Sequence, residues 1–128
     1  CLYIGLYAGT HVSGPSIRTP NAMLITMPPT LEALNVFPYQ VNPHYFAGQF
    51  YFKSGEELIP YAGETRDDRI REFHEMNTSP VIGIWEGSFL RYDGNAVMLG
   101  GHEPRARIFR RGMAPQDFAG PQDLSGVI

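Results

Sequence analysis

Apolar residues lie along the chain in short runs that predict strands rather than long helices. Cys1-Leu2-Tyr3-Ile4-Gly5-Leu6 is mostly apolar and ends in a glycine-rich turn, a pattern typical of a strand buried on both faces. Because such a strand pairs on both edges, we expect a further segment upstream of it, the alternative being a terminal strand at a sheet edge. Val81-Ile82-Gly83-Ile84-Trp85 predicts a second buried strand.

The clearest helix is predicted directly after Thr65. The Thr65 side chain can cap it, and Asp68 three residues later completes a pattern like a capping box. Ile70, Phe73 and Met76 recur at helical spacing and mark its apolar face. The Asn-Thr-Ser-Pro run that follows Met76 predicts its end.

Shorter features complete the pattern. They are a brief helix beginning at Ala8, a strand over residues 39–42, an aromatic-rich loop over 45–62, a hairpin of 89–92 and 96–99 around Asp93-Gly94, and a last strand over 105–110. The tail, residues 112–128, has no period and is expected to be loose. Without repeats or a change of composition along the chain, we predict one α/β domain over residues 1–128.

Composition and charge exclude several classes of function. Ten Lys and Arg against 13 Asp and Glu give a net charge of −3, which argues against nucleic-acid binding. No apolar run is long enough to predict a membrane span. A single cysteine favours a cytoplasmic protein without disulfides. His11, His74 and His102 are too scattered for the spacing of metal ligands, so we expect neither a metal nor another cofactor.

The turn after the first apolar run reads Gly5-Leu6-Tyr7-Ala8-Gly9, the spacing of a nucleophile elbow with tyrosine at its centre. In such an elbow, a strained strand-to-helix turn lifts one side chain above the sheet edge, and the flanking glycines leave room for the backbone. The spacing alone is common. Taken alone, it favours a tight strand exit with Tyr7 packed on the surface.

A set of further motifs follows in a fixed order. They are Leu2-Tyr3-Ile4-Gly5, Ala8-Gly9, Ile17-Arg18-Thr19, Ala33-Leu34-Asn35, Asn42-Pro43-His44, Gly63-Glu64-Thr65-Arg66, Arg69-Ile70-Arg71-Glu72 and Glu86-Gly87. In order and spacing, up to about residue 101, the chain resembles the C-terminal part of the peptidase E family, the serine-type α-aspartyl dipeptidases. The resemblance implies the C-terminal half of a doubly wound sheet like that of class I glutamine amidotransferases, with a terminal β-hairpin.

The same resemblance implies a catalytic triad in which two positions are substituted. His44 matches the base, whereas the nucleophile position is Tyr7 and the acid position is Ala22. A phenol has a pKa of about 10 and is a good leaving group, and its ring would fill the space of the scissile carbonyl. Without an acid, His44 is expected to have no fixed tautomer. The Ala8 N–H would supply one oxyanion donor, while the family's other donor comes from a glycine-rich loop that this sequence does not contain.

The resemblance also implies that Arg66 binds the aspartate carboxylate of a substrate, since a guanidinium binds a carboxylate with two hydrogen bonds. The alternatives are a surface arginine at a helix start or a salt bridge to Glu64 or Asp67. Tyr61 stands where the family usually has a histidine, which departs from the pattern.

These positions leave three hypotheses. The first is a peptidase E-like chain with impaired hydrolysis, and the second is a non-catalytic module that binds acidic dipeptides or a protein partner. In the third, a nearby hydroxyl replaces the nucleophile, although surface or capping roles also fit the candidates Thr10, Ser13 and Ser16. We further expect an N-terminal half or a second copy of the chain to cover the first apolar run.

Overall fold

The computed structural model of the chain describes residues 1–21 and 25–128. In chain order, its helices and strands are α1 (Ala8–Ser13), β1 (Gln40–Asn42), β2 (Tyr51–Ser54), β3 (Glu57–Pro60), α2 (Arg66–Met76), β4 (Val81–Ile84), β5 (Ser88–Tyr92), β6 (Val97–Gly101), β7 (Arg105–Phe109), β8 (Gln116–Ala119) and β9 (Gln122–Asp123). The architecture is α/β, with few helices and several sheets. No helix within the described ranges has the length and apolar character that crossing a membrane requires.

The central sheet has four strands in the order β1-β4-β7-β8. β1 and β4 run parallel, and the chain between them passes through the β2–β3 hairpin and α2, whereas β7 and β8 run antiparallel to their neighbours. The sheet is covered on both faces, because Val81 packs in a cluster with Ile70 and Phe73 of α2, while Ile82 packs in a cluster with Leu99 of the β5-β6-β9 sheet. This alternation is the period of a fully buried strand.

Helix α2 confirms the predicted capping box. The Thr65 hydroxyl accepts from the Asp68 N–H at 3.1 Å, and the Thr65 N–H donates to the Asp68 carboxylate at 3.0 Å. Ile70 and Phe73 are buried as predicted, in the cluster that joins α2 to the sheet. Met76 is exposed, which differs from the prediction, and it is the last residue of the helix. The buried strand β4, the hairpin of β5 and β6, and the strands β1 and β7 also confirm their predictions.

The first apolar run is not a buried strand, so that prediction is wrong for the described residues. Residues 1–6 belong to no strand, and the side chains of Leu2, Ile4 and Leu6 are 84%, 74% and 73% exposed. A strand requires hydrogen-bonded neighbours, and residues 1–6 have none in the described part of the chain. Their apolar side chains therefore lie on the surface.

The prediction of a loose tail over residues 112–128 is also wrong. β8 pairs with β7, and β9 pairs with β6. Leu124, directly after β9, is fully buried as part of the hydrophobic core. Gly112 and Gly120 have φ angles of 73° and 81°, and each forms a turn at an end of β8. The glycines and prolines in this segment mark turns between paired strands rather than disorder.

Arg107, on β7, connects elements that are distant in the sequence. Its Nε and Nη2 donate to the Asp117 carboxylate of β8 at 2.5 and 2.7 Å, and its Nη1 donates to the Tyr45 hydroxyl at 3.1 Å. The Tyr45 hydroxyl in turn donates to the Asp67 carboxylate at the start of α2. Hydrogen bonding to Arg107 lowers the pKa of the Asp117 carboxyl. Tyr45 and Asp67 are the chain neighbours of two candidate site residues.

Candidate functional site

The turn before α1 has the geometry of an elbow. Tyr7, at its apex, has φ 50° and ψ −116°, a strained conformation for a residue with a bulky side chain. A Cβ atom on Gly5 would lie 2.6 Å from the Gly9 carbonyl oxygen, so the turn requires glycine at position 5. A Cβ on Gly9 would make only an ordinary contact at 3.7 Å, so the close approach constrains Gly5 alone. The turn presents the Tyr7 side chain outward, 70% exposed.

The elbow faces His44, as the sequence predicts. His44 lies two residues after β1, with a positive φ of 55°, and its ring centroid is 4.6 Å from that of Tyr7 at an interplanar angle of 39°. The Nε2 atom of His44 is buried and has no hydrogen-bond partner among the described residues. Tyr7 and His44 therefore pack together as rings, without a hydrogen bond from the phenol to the base position.

His44 does have an acidic partner, contrary to the expectation that nothing fixes its tautomer. Its Nδ1 atom hydrogen-bonds with the Glu86 carboxylate, whose side chain is 76% exposed. Glu86 lies two residues after β4, and Asn42 of β1 is level with Gly83 of β4. Because the carboxyl ends of parallel strands meet at one edge of a sheet, an acidic residue directly after the predicted strand was a usable signal for this contact. Ala22, the predicted acid position, lies outside the described residues.

The Ala8 N–H lies at the start of α1, next to the apex of the elbow. Ala8 follows Tyr7 directly and is the first residue of α1, so its N–H has no acceptor within the helix. It can supply one of the two donors that an oxyanion hole requires. The role of Ala8 stays a prediction.

Arg66 is the first residue of α2. Its Nη1 donates to Oδ1 of Asn42 at 3.1 Å, and the fully buried Asn42 is held by a hydrogen bond from its Nδ2 to the Thr19 carbonyl at 3.1 Å. Within residues 1–21 and 25–128, no carboxylate oxygen lies within 4.0 Å of the Arg66 guanidinium. Neither of the predicted salt-bridge alternatives is formed, since Glu64 pairs with Arg69 and Asp67 lies in the network of Arg107.

His11 lies close to Arg66 and His44. Burial is the main cause that lowers the pKa of His11 to about 4, and the nearby Arg66 and His44 lower it further, so the imidazole of His11 is neutral at pH 7. Its Nδ1 atom is buried without a hydrogen-bond partner in the described part of the chain. The described residues contain no group of three or more His, Cys, Asp or Glu side chains arranged to hold a metal ion.

The three hydroxyls considered as substitute nucleophiles are all engaged in local hydrogen bonds. The Thr10 hydroxyl donates to the Gly5 carbonyl at 3.0 Å, and the Ser13 hydroxyl donates to the Thr10 carbonyl at 2.7 Å. The Ser16 hydroxyl bonds with the side-chain amide of Gln40 at 2.7 Å. These contacts support the structural roles of the three residues.

A cavity of about 590 Å³ opens beside the Tyr7–His44 pair. Its lining includes residues 1–3 and 5–7, together with Glu86 and the apolar side chains of Ile84, Trp85 and Phe89. Its volume is within the range of small-molecule sites.

Known proteins resemble this chain over most of its length. The family model described as "Peptidase family S51" matches residues 1–100. "Peptidase E" of Streptomyces coelicolor is 45% identical over 126 residues, 98% of this chain and 49% of that protein. A Drosophila melanogaster protein named "Probable alpha-aspartyl dipeptidase" is 36% identical over 127 residues, again 98% of this chain and 49% of the relative. The chain spans about half the length of these curated relatives.

Proposed function

Because this chain belongs to peptidase family S51, we propose that it is a peptidase E-like homologue whose hydrolysis of Asp-Xaa dipeptides is impaired at the nucleophile position. The observation that carries the proposal is the packing of the Tyr7 ring against His44 while Nε2 of His44 stays without a hydrogen-bond partner. In a working triad, that nitrogen takes the proton of the attacking hydroxyl.

The chemistry of a phenol supports the same conclusion. A tyrosine oxygen stands several ångströms further from the backbone than a serine oxygen, so it lies beyond the place from which a small hydroxyl attacks. If Tyr7 did attack a peptide bond, the tetrahedral intermediate would expel the phenolate more readily than the amine, because the phenol is the weaker base. Since Glu86 contacts His44, the deficit lies at position 7 rather than at the base.

The fold supports the proposal that the chain is half of a doubly wound sheet. β1 and β4 are parallel neighbours, and α2, which lies between them in the sequence, packs on the sheet they form. This is the arrangement of a βαβ unit. We propose that the N-terminal half of such a domain, or a second copy of the chain, covers the exposed segment 1–6.

The purified chain is expected to show no turnover of Asp-Leu above the background of a His44→Ala variant, because the nucleophile position lacks a usable hydroxyl. Release of free leucine, measured by mass spectrometry, tests this. Turnover that His44→Ala abolishes would overturn the proposal of impaired hydrolysis.

A second candidate function is the binding of acidic dipeptides without cleavage. The observation in its favour is Arg66, whose guanidinium is held by Asn42 yet has no carboxylate within 4.0 Å in the described ranges. Burial lowers the pKa of Arg66, but a guanidinium remains charged at neutral pH. A half-buried guanidinium with no carboxylate oxygen within 4.0 Å in residues 1–21 and 25–128 favours a carboxylate ligand.

An Arg66→Gln variant is expected to bind Asp-Leu at least about 10-fold more weakly than the unchanged chain, because a charge-assisted hydrogen bond is lost. Isothermal titration calorimetry measures the two dissociation constants. Arg71→Gln is the matched control, since Arg71 is on the same helix but 73% exposed and paired with Asp68. Equal losses in both variants would contradict a specific role of Arg66.

A further inference from the structure

The β2–β3 hairpin has an aromatic face that no core residue in the described part of the chain covers. Phe52 is level with Ile59, and two pairs further along, the Tyr61 N–H donates to the Phe50 carbonyl at 2.7 Å. Because cross-strand partners share a face and residues two apart alternate back to it, Phe50, Phe52 and Tyr61 point to the same side. All residues of both strands are exposed. A two-stranded hairpin without a third strand or a covering helix is only marginally stable by itself, so a ligand on this face would stabilise it.

The aromatic face is one wall of a second cavity, distinct from the one beside Tyr7. This cavity has a volume of about 310 Å³ and is lined by Phe50, Phe52 and Tyr61 of the hairpin region and by Arg66 at the start of α2. We call it the hairpin cleft. Its volume lies at the lower end of the range for small-molecule sites, enough for a dipeptide side chain and a carboxylate but not for a folded partner.

The hairpin cleft is lined by one cation, Arg66, which has no carboxylate oxygen within 4.0 Å among the described residues. Glu86, from a longer distance, partly offsets the lowering of the Arg66 pKa by burial. Its lining also includes Glu64, but that carboxylate accepts from Asn21 Nδ2 at 3.0 Å and lies 3.3 Å from the Arg69 guanidinium. Glu64 is therefore neutralised by Arg69, whereas Arg66 has only the neutral Asn42 as a side-chain hydrogen-bond partner in the described part of the chain. The cleft thus combines an available positive charge with an aromatic wall.

We propose that the hairpin cleft selects acidic dipeptides whose second residue is aromatic, with the ligand's aspartyl carboxylate on Arg66 and its aromatic ring against Phe50, Phe52 and Tyr61. This inference rests on the proposed binding of a carboxylate by Arg66 and adds the specificity for the neighbouring residue. The aromatic side chains offer rings for offset or edge-to-face packing, which an alanine side chain in the ligand would not use. A ligand that covers this wall also removes exposed apolar surface from water.

The test is calorimetric titration of the unchanged chain with Asp-Phe, Asp-Ala and Asn-Phe. We expect Asp-Phe to bind about 10-fold more tightly than Asp-Ala, as partial burial of one aromatic ring would give. Asn-Phe is expected to bind more weakly than either, because its first residue lacks the side-chain carboxylate. Equal affinities for Asp-Phe and Asp-Ala would overturn the aromatic selectivity while leaving the carboxylate site of Arg66 intact. Binding of none of the three peptides would overturn both proposals together.

Variants locate the selectivity on the hairpin. Phe52→Ala is expected to reduce the preference for Asp-Phe over Asp-Ala to about 2-fold or less, and Phe52→Leu to leave an intermediate preference. The matched control is Leu58→Ala, because Leu58 is a 70% exposed apolar residue on the opposite face of the same hairpin and does not line the cleft. Loss of the preference in Leu58→Ala as well would contradict a direct contact of Phe52 with the ligand.

Discussion

A Tyr7→Ser variant is expected to react with a fluorophosphonate probe at position 7 at least about 100-fold faster than the unchanged chain. The elbow, His44 and the Glu86 carboxylate are already in place, and the substitution supplies a small hydroxyl at position 7. In the reaction, the new hydroxyl oxygen forms a bond to phosphorus, fluoride leaves, and His44 takes the hydroxyl proton. Peptide mapping by mass spectrometry identifies the labelled position and its rate.

The double variant Tyr7→Ser/His44→Ala is the control for this prediction. It keeps the hydroxyl but removes the base, so labelling is expected to fall back to the rate of the unchanged chain. A Tyr7→Ala variant, which opens the same space without a hydroxyl, should not be labelled at position 7 at all. Labelling of the double variant at the rate of Tyr7→Ser would show that His44 does not activate position 7.

The purified chain is expected to associate in solution, with a mass by light scattering of at least twice the 14.3 kDa of the monomer. Leu2, Ile4 and Leu6 are each at least 73% exposed, and Leu2 and Leu6 line the larger cavity together with Tyr7. Burying a side chain of this size contributes about 1.5–3 kcal/mol, so three neighbouring ones strongly favour a partner. The triple variant Leu2→Ser/Ile4→Ser/Leu6→Ser is expected to lower the mass toward that of the monomer.

The control for association changes three exposed apolar residues elsewhere. Ile25, Met27 and Met76 are 103%, 76% and 86% exposed and line neither cavity, so their replacement by serine should leave the mass unchanged. A monodisperse monomer of the unchanged chain, with a cooperative melt, would contradict the prediction. So would a triple variant of the first segment that associates as strongly as the unchanged chain.

The elements that could be predicted from the sequence are those set by local chemistry. The capping box of Thr65 and Asp68 depends on residues three apart, and the turn at Asp93-Gly94 depends on the positive φ of 100° that Gly94 adopts. The strained elbow at Tyr7 was likewise visible in the spacing of its glycines. In each case, the interacting groups are close neighbours in the chain.

The elements that were missed depend on partners far away in the sequence. The first apolar run looks like a strand by itself, but a strand exists only when another edge bonds to it. The contact of His44 with Glu86 follows from the register of β1 and β4, which no single segment specifies. The hairpin around Gly55 was predicted as a loop. Its two strands could not be recognised from the sequence because their aromatic residues do not alternate with polar ones.

The ion pair of Arg107 and Asp117 gives the C-terminal strands a role in the site itself. Through hydrogen bonds to Tyr45 and from Tyr45 to Asp67, this brace connects to the segments that carry His44 and Arg66. Asp117 itself lies beyond residues 1–100, the range of the family match. Because folding lowers the pKa of Asp117, this brace is intact at neutral pH and is released only as acid protonates the carboxylate. Acidification to that point would therefore loosen the segments that carry His44 and Arg66 together.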